Sequence, residues 1–349
     1  MQRNTALIAG ASGLIGRRIA EHLTAAGGWD VIGLARRDRP APNMRWIPVD
    51  LADLEDCRRK LGGLTDVTHV FYAARYDHPE GRPESVEINA AMLSNLVGAL
   101  EPVAALKHVH ALQGSKYYGH QLGPVSVPLY EDSPRAPGEN YYFEQEDFLR
   151  EHSRGKTWRY TTSRPHAFCD PSADHPRSIG LVIAVLAAIQ RELGQALDFP
   201  GSEAGYRAHT QFTDLALLAR AIAWMAEEPR CANQAFNVVN GDNPRWSELW
   251  PRFASTFGVE AGVPRNIRLA QYMADKGRAW DVIVKRHGLR PTRLETLVMW
   301  AYGDYQFSPE WDVRSSMSKA RALGFSESVD SGKMFERQFE HYRAAGIIP

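Results

Sequence analysis

Thr5-Ala-Leu-Ile-Ala-Gly10-Ala-Ser-Gly13-Leu-Ile-Gly16-Arg-Arg-Ile-Ala20 is the stretch that decides the fold. Its apolar opening reads as a strand, its glycines at every third position as a tight turn, and Leu14 to Ala25 as an amphipathic helix. Each glycine has a mechanical task in such a turn: closing it, admitting a pyrophosphate to the backbone, and letting the helix approach the sheet. The helix N-terminus then aims unpaired N–H groups at phosphate oxygens. This predicts a dinucleotide site at Gly10, Ser12, Gly13, Leu14, Ile15 and Gly16, with a purely structural glycine turn as the competing reading.

Beyond this stretch, short β-rich runs alternate with helical segments. The runs are Val31 to Ala35, Arg45 to Val49, His69 to Ala73, His108 to Leu112 and Tyr160 to Ser163, and Ser85 to Leu100 has helical spacing. The alternation predicts an α/β Rossmann fold, a doubly wound parallel sheet covered on both faces by helices. After about residue 165 the alternation fades into segments rich in Pro and aromatics, which read as a smaller C-terminal substrate-binding lobe. Phe212 to Glu227 and Ala235 to Asn240 read as a helix and strand returning to the first domain. The expected division is therefore 1–168 plus about 207–242 for the nucleotide domain, and about 169–206 plus 243–349 for the lobe.

Lys plus Arg and Asp plus Glu each total 41 in 349 residues, so no net field draws in nucleic acid or an anionic membrane. A small molecule is the expected partner. The 3 cysteines, Cys57, Cys169 and Cys231, are scattered without metal-ligand spacing and fit a reducing cytoplasm. No secretion signal is read at Met1-Gln-Arg-Asn-Thr, and the apolar run Ile179 to Ile189 is short for a bilayer and reads as a buried helix. Trp246, Leu249, Trp250, Phe253 and Phe257 recur at helical spacing and read as lobe core or a dimer face, leaving a homodimer open. The histidines, His120 and His166 among them, form no spaced cluster and read as structural or surface groups; no metal site is expected.

The second strand ends in Gly33-Leu-Ala-Arg36-Arg37, where an acidic residue would otherwise hold a ribose 2′-hydroxyl. A guanidinium there suits a 2′-phosphate, so NADP(H) is the expected cofactor, against a reading of Arg36 and Arg37 as solvated loop residues. Asp50 and Leu51 after the third strand, and Ala73 and Ala74 after the fourth, fall at strand ends where the cofactor's adenine and ribose would lie.

Together these features resemble the short-chain dehydrogenase/reductase superfamily in its extended form. That superfamily usually carries Tyr-x-x-x-Lys on the helix after the fifth strand, with a Ser or Thr at that strand's exit. Here the helix reads Asn140-Tyr-Tyr142-Phe-Glu-Gln-Glu146-Asp147, with Glu146 in the lysine's place and Gly114 in the serine's. Tyr272 to Lys276 spells the motif far downstream and reads as coincidence.

The departures are similar to a narrower group, the progesterone 5β-reductase and iridoid synthase-like enzymes and their bacterial relatives. The matching segments are Asn140 to Asp147, with Tyr141 where the group has Phe, Gly114-Ser-Lys116-Tyr-Tyr118, Ser163-Arg-Pro165 and Phe236 to Asp242. After the lysine motif this chain has Tyr118-Gly-His-Gln-Leu-Gly-Pro124, so plant substrate specificity does not carry over. The resemblance implies hydride transfer from NADPH to the β-carbon of an enone or enal. Tyr142 would stabilise the enolate oxygen, and Lys116 would orient the nicotinamide ribose and favour a tyrosinate-like Tyr142. Gln113, Pro165, His166 and Ala167 would border the cofactor. Two other functions compete: a nucleotide-sugar epimerase or dehydratase, which would need the missing Tyr-x-x-x-Lys, and an NADP-binding redox sensor without turnover.

Overall fold

Strands covered by helices on both faces bury both sets of side chains, so they read as continuous apolar runs. A computed structural model describes residues 3–37, 44–76 and 84–349; Met1 and Gln2 of the N-terminal segment lie outside the described residues. The strands are β1 (Asn4–Ala9), β2 (Trp29–Ala35), β3 (Arg45–Pro48), β4 (His69–Tyr72), β5 (His108–Leu112) and β6 (Arg159–Pro165), with Gln234–Val238 at one edge. All pair in parallel, in the order Gln234–Val238, β6, β5, β4, β1, β2, β3. The order reverses between β1 and β4, and the crevice beyond their carboxyl ends is where sheets of this kind bind ligands.

Two apolar layers sandwich the sheet. Leu7 and Ala9 of β1 face Cys57 and Leu61 of α2 (Leu54–Leu61) and Leu93 and Leu96 of α3 (Val86–Leu100). Ala6 and Ile8, alternating with them, face Ile19 and Leu23 of α1 (Leu14–Ala26) and Leu218 and Ile222 of the helix Leu215–Glu227. This inversion at every residue is the period-2 geometry of a strand. One row within the second layer is polar: His110 bonds Thr161 Oγ1 at 2.9 Å and Ser163 Oγ at 3.0 Å, and His108 bonds the same threonine at 2.9 Å. Partners on both ring nitrogens let the buried His110 remain neutral without an orphaned polar group.

A third core lies towards the C-terminus. Every residue of α5 (Ile179–Glu192) from Ile179 to Gln190 is buried. Trp250, Phe253 and Phe257 of the helix Trp246–Phe257 and Phe335 and Phe339 of the helix Ser331–Ala344 pack in the same cluster. Edge-on aromatic contacts, such as Phe253 to Phe335 at 5.2 Å, fill it. Polar clamps attach the segment after β6 to α1. Arg18 donates two bonds to Asp170, at 2.6 and 2.9 Å, and Arg17 reaches Asp174 at 2.8 Å and Ser172 at 3.0 Å. Among the described residues no helix is long and apolar enough to cross a membrane.

Candidate active site

The glycine turn sits at the reversal point of the sheet. Gly10 has φ +78°, and a Cβ there would lie 2.7 Å from the Ala73 carbonyl oxygen and 2.9 Å from the Ala74 nitrogen. Glycine is therefore required for conformation and for space. At Gly16 a Cβ would meet the Gly10 carbonyl oxygen at 2.3 Å, so α1 rests directly on the turn. Gly13 stands at the N-cap of α1 without a side-chain cap bond, which leaves first-turn N–H groups for a ligand's oxygens. Ser12 and Gly13 are exposed beside it, Leu14 and Ile15 half-buried, and Arg36 and Arg37 are exposed just past β2. An uncapped helix end and exposed guanidinium groups on adjacent strand exits fit a phosphorylated dinucleotide. Asp50 caps its own turn through Ala52 N at 3.0 Å, and the buried Leu51 accepts Asn95 Nδ2 through its carbonyl at 2.9 Å.

Lys116 and Tyr142 come from different elements. Lys116 lies in a short 3-10 turn, Ser115–Tyr118, after β5; Tyr142 lies in the first turn of α4 (Tyr141–His152). Asn140 joins them. Its Oδ1 accepts from Tyr142 N at 3.0 Å, capping α4, while its Nδ2 donates to the Lys116 carbonyl at 3.5 Å. Tyr305 adjoins both, its ring centre 5.7 Å from Lys116 Nζ and its phenol close enough to Tyr142 for their charges to interact.

Burial raises the pKa of the Tyr142 phenol; a hydrogen bond from Tyr141 lowers it, Glu84 raises it and Arg75 lowers it. At neutral pH the group is a protonated donor. Burial thus works against a tyrosinate-like Tyr142, and Arg75 is a cation that works towards it. Gly114 adopts extended backbone, with φ −174°, and a Cβ on it would stand 3.1 Å from Tyr142 Oη. The position of the usual serine thus borders the phenol directly.

Glu146 is engaged by a buried arginine. Its Oε2 accepts from Arg164 Nη2 at 2.8 Å, and Arg164 is only 1% exposed. The same guanidinium bonds Gln113 Oε1 at 3.1 Å, Tyr118 Oη at 3.0 Å and the Glu131 carbonyl at 2.9 Å, and stacks 3.4 Å from the Tyr117 ring centre. Gln113 in turn donates to the Tyr142 carbonyl at 2.9 Å. Its side chain is therefore engaged inside the protein, holding β5, α4 and β6 in register.

Pro165, the last residue of β6, is buried, and Ala167 just beyond has φ +22°, unusual for a residue with a Cβ. His166 is anchored through its backbone N to Thr213 Oγ1 at 3.0 Å. Its ring meets His120: Ser115 Oγ lies 2.6 Å from His166 Nδ1 and 2.9 Å from His120 Nε2. The sequence spacing of these histidines gives no sign of the cluster, because a return of the chain from a distant segment assembles it. Trp311 Nε1 donates to the His120 carbonyl at 3.0 Å. Asn140, Glu146, Arg164 and Ser115 are the site residues that motif reading alone did not assign. Among the described residues no group of three or more His, Cys, Asp or Glu is placed to hold a metal ion.

A family model described as a PRISE-like Rossmann-fold domain matches residues 49–349. The chain is 35% identical to a 3-oxo-Δ(4,5)-steroid 5β-reductase of Arabidopsis thaliana, covering 99% of this chain and 93% of the relative. It is also 35% identical to an (S)-8-oxocitronellyl enol synthase of Nepeta cataria, with the same coverage of 99% and 93%. Among solved structures, RMD from Pseudomonas aeruginosa complexed with NADPH superposes with a TM-score of 0.67 at 16% identity, over 97% of this chain and 99% of that one. At that identity the likeness is one of fold.

Proposed function

The chain belongs to the PRISE-like Rossmann-fold family, an oxidoreductase branch of the extended short-chain dehydrogenases/reductases, and from that premise we propose that it reduces an activated alkene with NADPH. The substrate class is a small α,β-unsaturated carbonyl compound. The observation that carries this reading is the Tyr142 phenol bordering Gly114, so that the position of the usual serine offers it no hydroxyl. An alcohol-forming reductase uses a relay that delivers a proton to oxygen. A 1,4-reduction needs mainly a donor that holds oxygen while negative charge builds on it, and a protonated phenol supplies that. NADPH, when bound, provides the hydride that adds to the β-carbon. Lys116 would hold the nicotinamide ribose, while Gly10, Gly13 and Gly16 admit the pyrophosphate and Arg36 with Arg37 take the 2′-phosphate. The catalytic assignment is therefore Tyr142 and Lys116.

The test is NADPH oxidation with a panel of cyclic and linear enones and enals. Binding of NADPH without turnover of any of them would favour a redox sensor.

Arg36→Ala is expected to weaken NADPH by about 10- to 100-fold, the value of one charge-assisted contact to phosphate, with NADH changed less than about threefold. Dissociation constants for both nucleotides decide it, and equal losses would remove the phosphate argument. Gly114→Ala is a finer probe. Extended backbone tolerates the methyl, but its carbon would crowd the Tyr142 hydroxyl at 3.1 Å. A displacement of a few tenths of an ångström is expected to lower kcat by roughly tenfold at unchanged NADPH affinity. Unaltered kcat would show that the hydroxyl's position is not critical.

A further inference from the structure

The hydrogen-bond chain His120–Ser115–His166 has one end without a partner. His120 is 3% exposed, yet its Nδ1 makes no hydrogen bond among the described residues. Its ring lines a cavity of about 80 Å³ together with His166, Trp246, Tyr305 and Trp311. Tyr305 is shared between that cavity's wall and the contact with Lys116, and the Lys116 charge is felt at His120. Leaving a ring nitrogen unpaired in a buried site costs about 1–3 kcal/mol unless something else bonds it. Ser115 Oγ is already engaged by the two rings and the His120 carbonyl by Trp311, while Gln121, on the same cavity wall, also has its Oε1 unpartnered among the described residues and is a second acceptor for a substrate hydroxyl.

We propose that His120 Nδ1 is the recognition group for a second oxygen on the substrate, separate from the carbonyl that Tyr142 receives. The substrates are then enones or enals that also carry a hydroxyl or a further carbonyl. This rests on the alkene-reductase reading above and deepens it.

The chemistry of the chain explains why one residue serves both oxygen types. A hydroxyl has a single proton, so Ser115 donates to one ring and accepts from the other. If Ser115 donates to His166, His120 carries its proton on Nε2 and offers Nδ1 as an acceptor for a substrate hydroxyl. If Ser115 donates to His120, the proton of His120 sits on Nδ1 and is available to a carbonyl. Both rings remain neutral in either arrangement; burial lowers the His166 pKa to about 4, and burial, His166 and Lys116 hold His120 low as well. The aromatic walls accept the carbon chain on either side of that oxygen.

The experiment uses linear α,β-unsaturated aldehydes ending in methyl, hydroxymethyl or a second aldehyde, each over a range of chain lengths. At the best length, kcat/KM is expected to be about tenfold higher for an oxygen-terminated substrate than for its methyl counterpart. His120→Phe keeps an aromatic ring and removes the nitrogen, and is expected to bring that ratio close to one. Ser115→Ala keeps the ring, frees its orientation and should also shrink the ratio; it is the deciding variant if the thermal melt shows His120→Phe unfolded. A wild-type ratio of one at every length overturns the proposal, as does a ratio that survives in folded His120→Phe. Quenching of tryptophan fluorescence by the matching saturated aldehydes measures the same preference without turnover. If no enal is reduced while quenching still favours the oxygenated ligand, the reductase reading fails and the recognition site stands; equal quenching by both ligands overturns the site.

Discussion

Tyr142→Phe is expected to lower kcat for enone reduction by about 10²- to 10³-fold, the usual loss for one oxyanion donor, with NADPH affinity held within about twofold. The substitution removes one oxygen and keeps the ring that packs against Tyr141 at 4.5 Å. Helix α4 is capped by Asn140 through the backbone of residue 142, which the change leaves intact. No hydroxyl stands at Gly114 to take over the role, and residual turnover is expected to come from the Tyr141 phenol that hydrogen-bonds Tyr142. The loss should appear in single-turnover hydride transfer at saturating NADPH, because the missing contact strengthens only as charge develops on oxygen. A rise in KM with kcat intact would make Tyr142 a simple binding residue, and unchanged turnover would sink the mechanism.

Much of the fold is legible in local sequence because its signals are local. Gly10, Gly13 and Gly16 announce the turn by spacing, and the structure explains two of them by contacts below 3 Å with Ala73 and with Gly10 itself. The burial of α5 from Ile179 to Gln190 is equally plain from the unbroken apolar run Ile179 to Ile189. Lys116 and Tyr142 stand out only through the pattern of a family, since neither lysine nor tyrosine carries a periodic signature. What joins them is hidden for a physical reason. Asn140 reads as an ordinary N-cap, and nothing in its neighbours says that its amide also grips the Lys116 carbonyl. The same holds for His120, Ser115 and His166. Their meeting depends on how the chain after Gly119 folds back and on Trp311 fastening it from a distant segment. Such long-range closure leaves no trace in spacing.

Glu146 poses the sharpest case, because the sequence invites a repair. Glu146→Lys would complete Tyr-x-x-x-Lys on α4 and, on motif logic alone, should create a conventional reductase. The structure gives the opposite expectation. Glu146 is 12% exposed at its side chain and pairs with Arg164, which is 1% exposed and sits among Gln113, Tyr117 and Tyr118. Lysine there would replace an attraction by a repulsion between two cations out of water. Breaking a buried pair costs about 3–5 kcal/mol, since the remaining charge loses its partner. That corresponds to a fall in melting temperature on the order of 10 °C for a domain of this kind. The damage should spread to function through Gln113, whose amide links Arg164 to the Tyr142 carbonyl. Glu146→Gln, which keeps an acceptor for Arg164 but loses the charge, should fall between wild type and Glu146→Lys. Thermal melts of the three proteins with and without NADPH order the series. If Glu146→Lys is as stable as wild type and gains carbonyl reduction, then position 146 retains the role of the motif lysine, and Lys116 does not replace it.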